Sequence, residues 1–166
     1  MKLRQFKSTE EGLEFMKFLS EQAFSDVIQN TPLVSIDLLI KNRLGQVLLG
    51  RRLNRPAQNR WFVPGGRILK DESIATAFQR LTAAELGHTF EIHHARLLGP
   101  FDHFYTDNVY GDAFSTHYVA LAYELMTNLE IKSLPLGAQH EKYQWFNIDS
   151  LLSDDCVHEH TKNYLR

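Results

Sequence analysis

The chain has 166 residues, 43% hydrophobic and 23% charged, with a formal net charge of -2; these are the proportions of one globular domain with a sizeable core. They exclude disordered and fibrous classes and argue against broad, sequence-blind nucleic-acid binding, which needs many cationic phosphate contacts. The single cysteine, Cys156, rules out an internal disulfide and any cysteine-only metal site.

No apolar run reaches membrane-spanning length, so no membrane partner is expected, and MKLRQFKSTEEG lacks an apolar stretch of the signal-peptide kind. A cytoplasmic location is the expectation. There are no repeats, low-complexity tracts or linkers, which predicts one domain over 1–166 with an N-terminal helical extension over about 1–30.

In chain order, STEEGLEFMKFLSEQAFSDVIQN reads as helix, opened by Ser8 with Glu11 three residues on, and with a restart at Ser20. Its apolar positions are Leu13, Met16, Phe24 and Ile28. TPLVSIDLLIKN and VLLGRRL flank the turn RLGQ and predict a hairpin. Asp37 interrupts the first of these strands. Alternation places it with Ser35 and Leu39, opposite Val34, Ile36, Leu38 and Ile40, as a carboxylate on the wet face of a sheet. NRPAQNRW is a loop. A helix follows over 72–86, closed by Gly87. ARLLGPFDHFY and FSTHYVALAYELM are strands around the polar loop TDNVYGDA, YQWFN is a short last strand, and VHEHTKNYL a final helix. The order predicts an α/β (α+β) domain in which a mainly antiparallel or mixed β-sheet packs between helices.

The helix over 72–86 carries an anomaly. At 100° per residue, Leu81, Ile74, Phe78, Thr82, Ala75 and Leu86 share one face, and Glu85 points into the middle of that arc. Buried alone, a carboxylate costs several kcal/mol or is forced neutral, so it must reach water, pair with a cation or bind a metal. Pro64-Gly65-Gly66 sits just upstream, and glycines there let backbone approach a ligand.

The spacing Gly66, five residues, Glu72, seven residues, Arg80, then Glu85 and Gly87 resembles the Nudix box of hydrolases acting on nucleoside diphosphates linked to another group. The usual box has two further acids, at the positions held here by Leu81 and Ala84. STHYVALAY, NRPAQNRWFVPGGR and QRLTAAELG closely resemble the GDP-mannose mannosyl hydrolase branch of that superfamily, which lacks the same two acids. The resemblance runs from about Phe18 through QHEKYQWF into the C-terminal helix. Extra residues at the N-terminus are its main departure.

The resemblance implies a Nudix-like fold and displacement of GDP from the anomeric carbon of the sugar, with inversion. It implies one Mg2+ per site, with Mn2+ as an alternative, held by the Gly65 carbonyl, the Glu85 carboxylate and the Gln139 side chain; these are oxygen donors suited to a hard ion. It makes His140 the general base, since an imidazole is largely neutral near pH 7 and can accept a proton. Arg52, His103 and Tyr118 become leaving-group contacts, and His103 donates to phosphate if it is protonated or suitably tautomeric. Arg67 and Arg80 add positive charge, although Arg80 also reads as a structural partner of Glu72. Asp37 becomes a contact to sugar hydroxyls. Phe18, Leu19 and Phe24 match nucleotide contacts, across a homodimer in the branch, but their periodicity also fits the buried stripe of the first helix. The implied partner is a small nucleotide sugar, GDP-mannose or GDP-glucose. An ordinary pyrophosphohydrolase attacking phosphorus and a non-catalytic nucleotide-sugar sensor are the alternatives.

Overall fold

The computed structural model describes residues 19–136 and 139–166. The helix start expected at Ser8 lies outside these residues, as does Phe18. Ser20 is a helix start, as expected: its Oγ accepts the Ala23 N–H at 3.3 Å and opens α1, Glu21–Asn30. The expected hairpin pairs β1, Leu33–Lys41, with β2, Val47–Arg52. In its turn the Asn42 Oδ1 accepts the N–H groups of Leu44 and Gln46, and Gly45 takes φ +73°.

Two very short strands follow. β3, Trp61–Phe62, pairs with β2, and β4, Gly65–Arg67, lies antiparallel on the first half of β1 with Asp37 opposite Gly65. The double glycine is therefore strand. The helix α2, Ile74–Leu86, starts slightly later than the sequence predicts, because Ser73 caps it: the Ser73 Oγ accepts the Thr76 N–H at 3.1 Å. Gly87 ends it at φ +71°, the left-handed conformation that glycine adopts most readily.

The strands β5, Ala95–Tyr105, and β6, Thr116–Met126, form an antiparallel pair, and β6 runs parallel to β1 along its whole length. β7, His140–Phe146, begins earlier than YQWFN suggests and pairs with β2. A short helix not expected from the sequence, α3, Ile148–Ser153, precedes α4, Glu159–Asn163. The sheet is mixed, with the order β3-β2-β1-β6-β5. Because β6 occupies one edge of β1, its other edge is shared: β4 takes the first half and β2 the last residues. The sheet forks there.

Apolar side chains fill both faces. On one, Phe78, Leu81 and Leu86 of α2 pack with Ile36, Leu38, Ile40 and Tyr123. On the other, Leu39, Leu49, Trp61 and Phe146 pack with Leu151 of α3 and with Tyr164. The sheet thus lies between helices, as the element order predicts. The wheel needs one revision: Ile74 and Ala75 are exposed at the first turn, and Ala77 is buried instead. The wet face expected for Asp37 is also corrected, since Tyr164 at the end of α4 covers it and Asp37 is buried. Phe78 is fully buried, its ring 5.4 Å from that of Tyr123. Phe78→Ala should cost about 3–5 kcal/mol, read as a lower urea midpoint at unchanged slope.

Candidate active site

The fork in the sheet positions the site. Where β4 leaves for α2, a cavity of about 160 Å³ opens between Asp37, Arg52, Gly65, Arg67, His103 and Tyr118. A second hollow of about 190 Å³ adjoins it, sharing Arg52, Arg67, Tyr118 and Gln139 and adding Phe24 of α1. Most of the side chains singled out from the sequence therefore line one cleft.

Bare α-carbons hold its floor. A Cβ on Gly65 would collide with the Ile36 carbonyl oxygen and stand 3.3 Å from Asp37 Oδ1. One on Gly66 would meet Leu81 Cδ2 at 2.7 Å. Leu81 is thus packed into the floor while Ala84 faces solvent, so neither of the two positions that would carry further acids offers the site a polar group.

Glu85 lies beneath this floor, buried, at the last turn of α2. Its Oε1 accepts Gln139 Nε2 at 2.9 Å, and its backbone carbonyl accepts the Tyr143 hydroxyl at 3.3 Å. His140 Nε2 stands 3.2 Å from Glu85 Oε2, but too obliquely to hydrogen-bond, and among the described residues neither ring nitrogen has a hydrogen-bond partner. The imidazole is almost fully buried and does not line the cavity. It is seated against Gly50, where a Cβ would collide with its Nδ1. Among the described residues no three His, Cys, Asp or Glu side chains gather as a metal cluster. The donor set that does gather, one carboxylate with the Gln139 amide beside the bare Gly65 backbone, is all oxygen in its ligating atoms and fits a hard divalent ion with few protein ligands.

The cationic wall is built from two strands. Arg52 donates through Nε to the Pro56 carbonyl at 3.0 Å, and its guanidinium lies 5.9 Å from the centre of the Phe62 ring. Arg67 lies 3.8 Å over the Phe24 ring, whose neighbour Tyr110 approaches edge-on. Burial lowers the Arg67 pKa, partly offset by Tyr118 and Tyr110. Burial raises that of the Tyr118 phenol, so it stays a hydrogen-bond donor. Arg80 is elsewhere: its Nε and Nη2 clasp Glu72 at 2.7 and 2.9 Å, and Nη2 also donates to the Arg67 carbonyl at 2.8 Å. It does not line the cavity; it holds β4, and its charge is felt at Arg67. Leu19 is exposed and outside the cleft.

Opposite the arginines, burial raises Asp37 to about 6 against the pull of its Tyr164 hydrogen bond and of Arg52. The Tyr164 hydroxyl donates to Asp37 Oδ2 at 2.7 Å and lies 2.9 Å from His103 Nε2. His103 stacks on His160 at 4.1 Å, and His158 is 4.7 Å further along. Burial lowers His103 to about 3 and His158 to about 4, helped by the neighbouring histidines. Tyr105 and Tyr164 are residues that the sequence did not single out. Tyr105 had a signal, since two places along a strand from His103 lies the same face; Tyr164 had none.

Gly50→Ala should push the His140 ring from its seat and cost about 1–3 kcal/mol of stability, measured by urea unfolding. The histidine cluster sets a pH dependence. A histidine depressed on folding holds fewer protons in the native state than in the unfolded one, so its contribution is full above the ordinary histidine range and falls as pH drops toward the folded values. The histidines should therefore pull the urea midpoint down from about pH 6.5 toward about 4, against the opposite contribution of the raised Asp37, and His158→Gln should weaken that pull.

Comparison with known proteins agrees with this architecture. The NUDIX domain matches residues 31–166. The low-salt glycan biosynthesis protein Agl8 of Haloferax volcanii is 38% identical over 128 residues, covering 77% of this chain and 79% of that protein. Among solved structures, a MutT NUDIX hydrolase from Burkholderia pseudomallei superposes with a TM-score of 0.63 at 26% identity, over 82% of this chain and 97% of the other. The NUDIX domain of Shewanella oneidensis NrtR complexed with ADP ribose gives 0.60 at 18% identity, over 96% and 97%. With a family match over most of its length and a fold shared with solved members, this chain belongs to the Nudix domain family.

Proposed function

We propose that the protein is a Mg-dependent hydrolase that converts GDP-mannose, or GDP-glucose, to GDP and free hexose by attack of water at the anomeric carbon. The observation that carries this reading is the cleft itself: two arginines and a phenol on one wall, a buried carboxylate on the other, and below them Glu85 as the one acid left among positions 81, 84 and 85. A site attacking phosphorus uses several cations to screen a crowded phosphate. Displacement at carbon needs charge neutralised only on a diphosphate that is already a good leaving group. The glycan biosynthesis role in the name of the Haloferax relative fits sugar chemistry.

Glu85 and Gln139, with the Gly65 carbonyl, would hold the metal, which supplies a Lewis acid for the diphosphate when bound. Arg52 and Arg67 take up the charge that develops on the leaving oxygen, and the Tyr118 hydroxyl donates to it. A bond forms between water oxygen and C1 as the C1–O bond to phosphate breaks; its electron pair leaves with GDP, and the water proton passes to a base. His140 is the proposed base, which requires the first residue of β7 to turn its buried ring toward the cleft. Asp37 is the second candidate, favoured by its place in the cavity wall and its pKa of about 6. On this reading the chain works as a cytoplasmic, single-domain homodimer with Phe24 against the nucleotide.

Turnover in ¹⁸O-labelled water should place the label in the sugar, and label in phosphate would refute carbon attack. His140→Gln should lower kcat by about 10²–10⁴ with little change in KM. A comparable loss in Asp37→Asn with a near-normal His140→Gln would transfer the base to Asp37.

A further inference from the structure

The Tyr164 hydroxyl has one proton, and the 2.7 Å bond to Asp37 Oδ2 uses it. Its oxygen is then an acceptor, so the partner 2.9 Å away, His103 Nε2, must carry its own proton. Desolvation and the neighbouring His160 and His158 keep the ring neutral. A neutral imidazole has only one N–H, and here it is consumed inside the protein wall. What His103 retains is a bare Nδ1, an acceptor. That is the opposite of the donor a departing phosphate needs, and it suits a sugar hydroxyl.

We propose that Tyr164 is a positioning residue that locks His103 as the Nε2–H tautomer, so that His103 meets the substrate as an acceptor for a sugar hydroxyl. The hydroxyl part rests on the nucleotide-sugar reading above; the tautomer part does not. The Tyr164 ring is itself held edge-on by Phe101 at 4.8 Å, and the His103 plane by its parallel stack on His160, so neither partner is free to rotate.

Nitrogen NMR of imidazole-¹⁵N-labelled protein without substrate tests the lock directly, the His103 signal being identified by its absence in His103→Gln. The wild type should show a protonated Nε2 and a bare Nδ1. Tyr164→Phe, which keeps the ring against Phe101 but removes both hydrogen bonds, should give a mixture of tautomers. A protonated Nδ1 in the wild type, or an unchanged signal in Tyr164→Phe, overturns the proposal. In binding, Tyr164→Phe should weaken GDP-mannose about tenfold and GDP less than about twofold. Equal weakening of both would assign His103 to the phosphate and overturn the acceptor role. Because the spectra need no substrate, failure of the lock and failure of the nucleotide-sugar reading give different results.

Discussion

Everything at the site depends on how closely β4 can lie on β1. The Gly65 α-carbon sits against the Ile36 carbonyl so tightly that a single methyl group would collide with its oxygen. That contact sets the floor of the cavity, brings Asp37 level with Gly65, and delivers the chain to the start of α2. Arg80 reinforces it from below by clasping Glu72 and the Arg67 carbonyl, and Glu72 in turn accepts the Leu69 N–H at 3.0 Å. Burial pushes the Glu72 carboxyl up, but these donors hold it below its usual range, so the clamp stays ionic. Its role is to keep the short strand β4 in register.

Two layers of polar chemistry result, separated by that floor. Above it, Asp37, Tyr164 and His103 form a chain of hydrogen bonds on the face covered by α4. Below it, Glu85 and His140 face each other on the α2 side, with Gln139 reaching both Glu85 and the cavity. The glycines divide the layers with backbone alone, the thinnest partition a chain can make. The same economy of volume recurs at Gly50, which makes room for the His140 ring.

Much of the frame was legible in the sequence. The hairpin, β5, β6 and the end of α2 follow from strand alternation and turn glycines, which are local signals. Glu85 was visible as an acid on an apolar arc. The two-residue β3 and three-residue β4 were not, since neither spans enough positions to show a period. Alternation told which side of β1 Asp37 takes but not that this side is covered, because the cover comes from the far end of the chain. The seat of His140 depends on a missing side chain in β2, distant in sequence, and nothing near His140 announces it.

The Tyr164–Asp37 bond joins positions 127 residues apart. The carboxylate on β1, the first strand among the described residues, thus precedes its hydroxyl partner by that whole separation, and loop-closure entropy must be met before the bond can form. A chain that stopped short of Tyr164 would encode every strand of the sheet and still lack this hydrogen bond in the cleft. Completion of the pocket is therefore tied to docking of α4 as well as to the sheet that carries most of its residues.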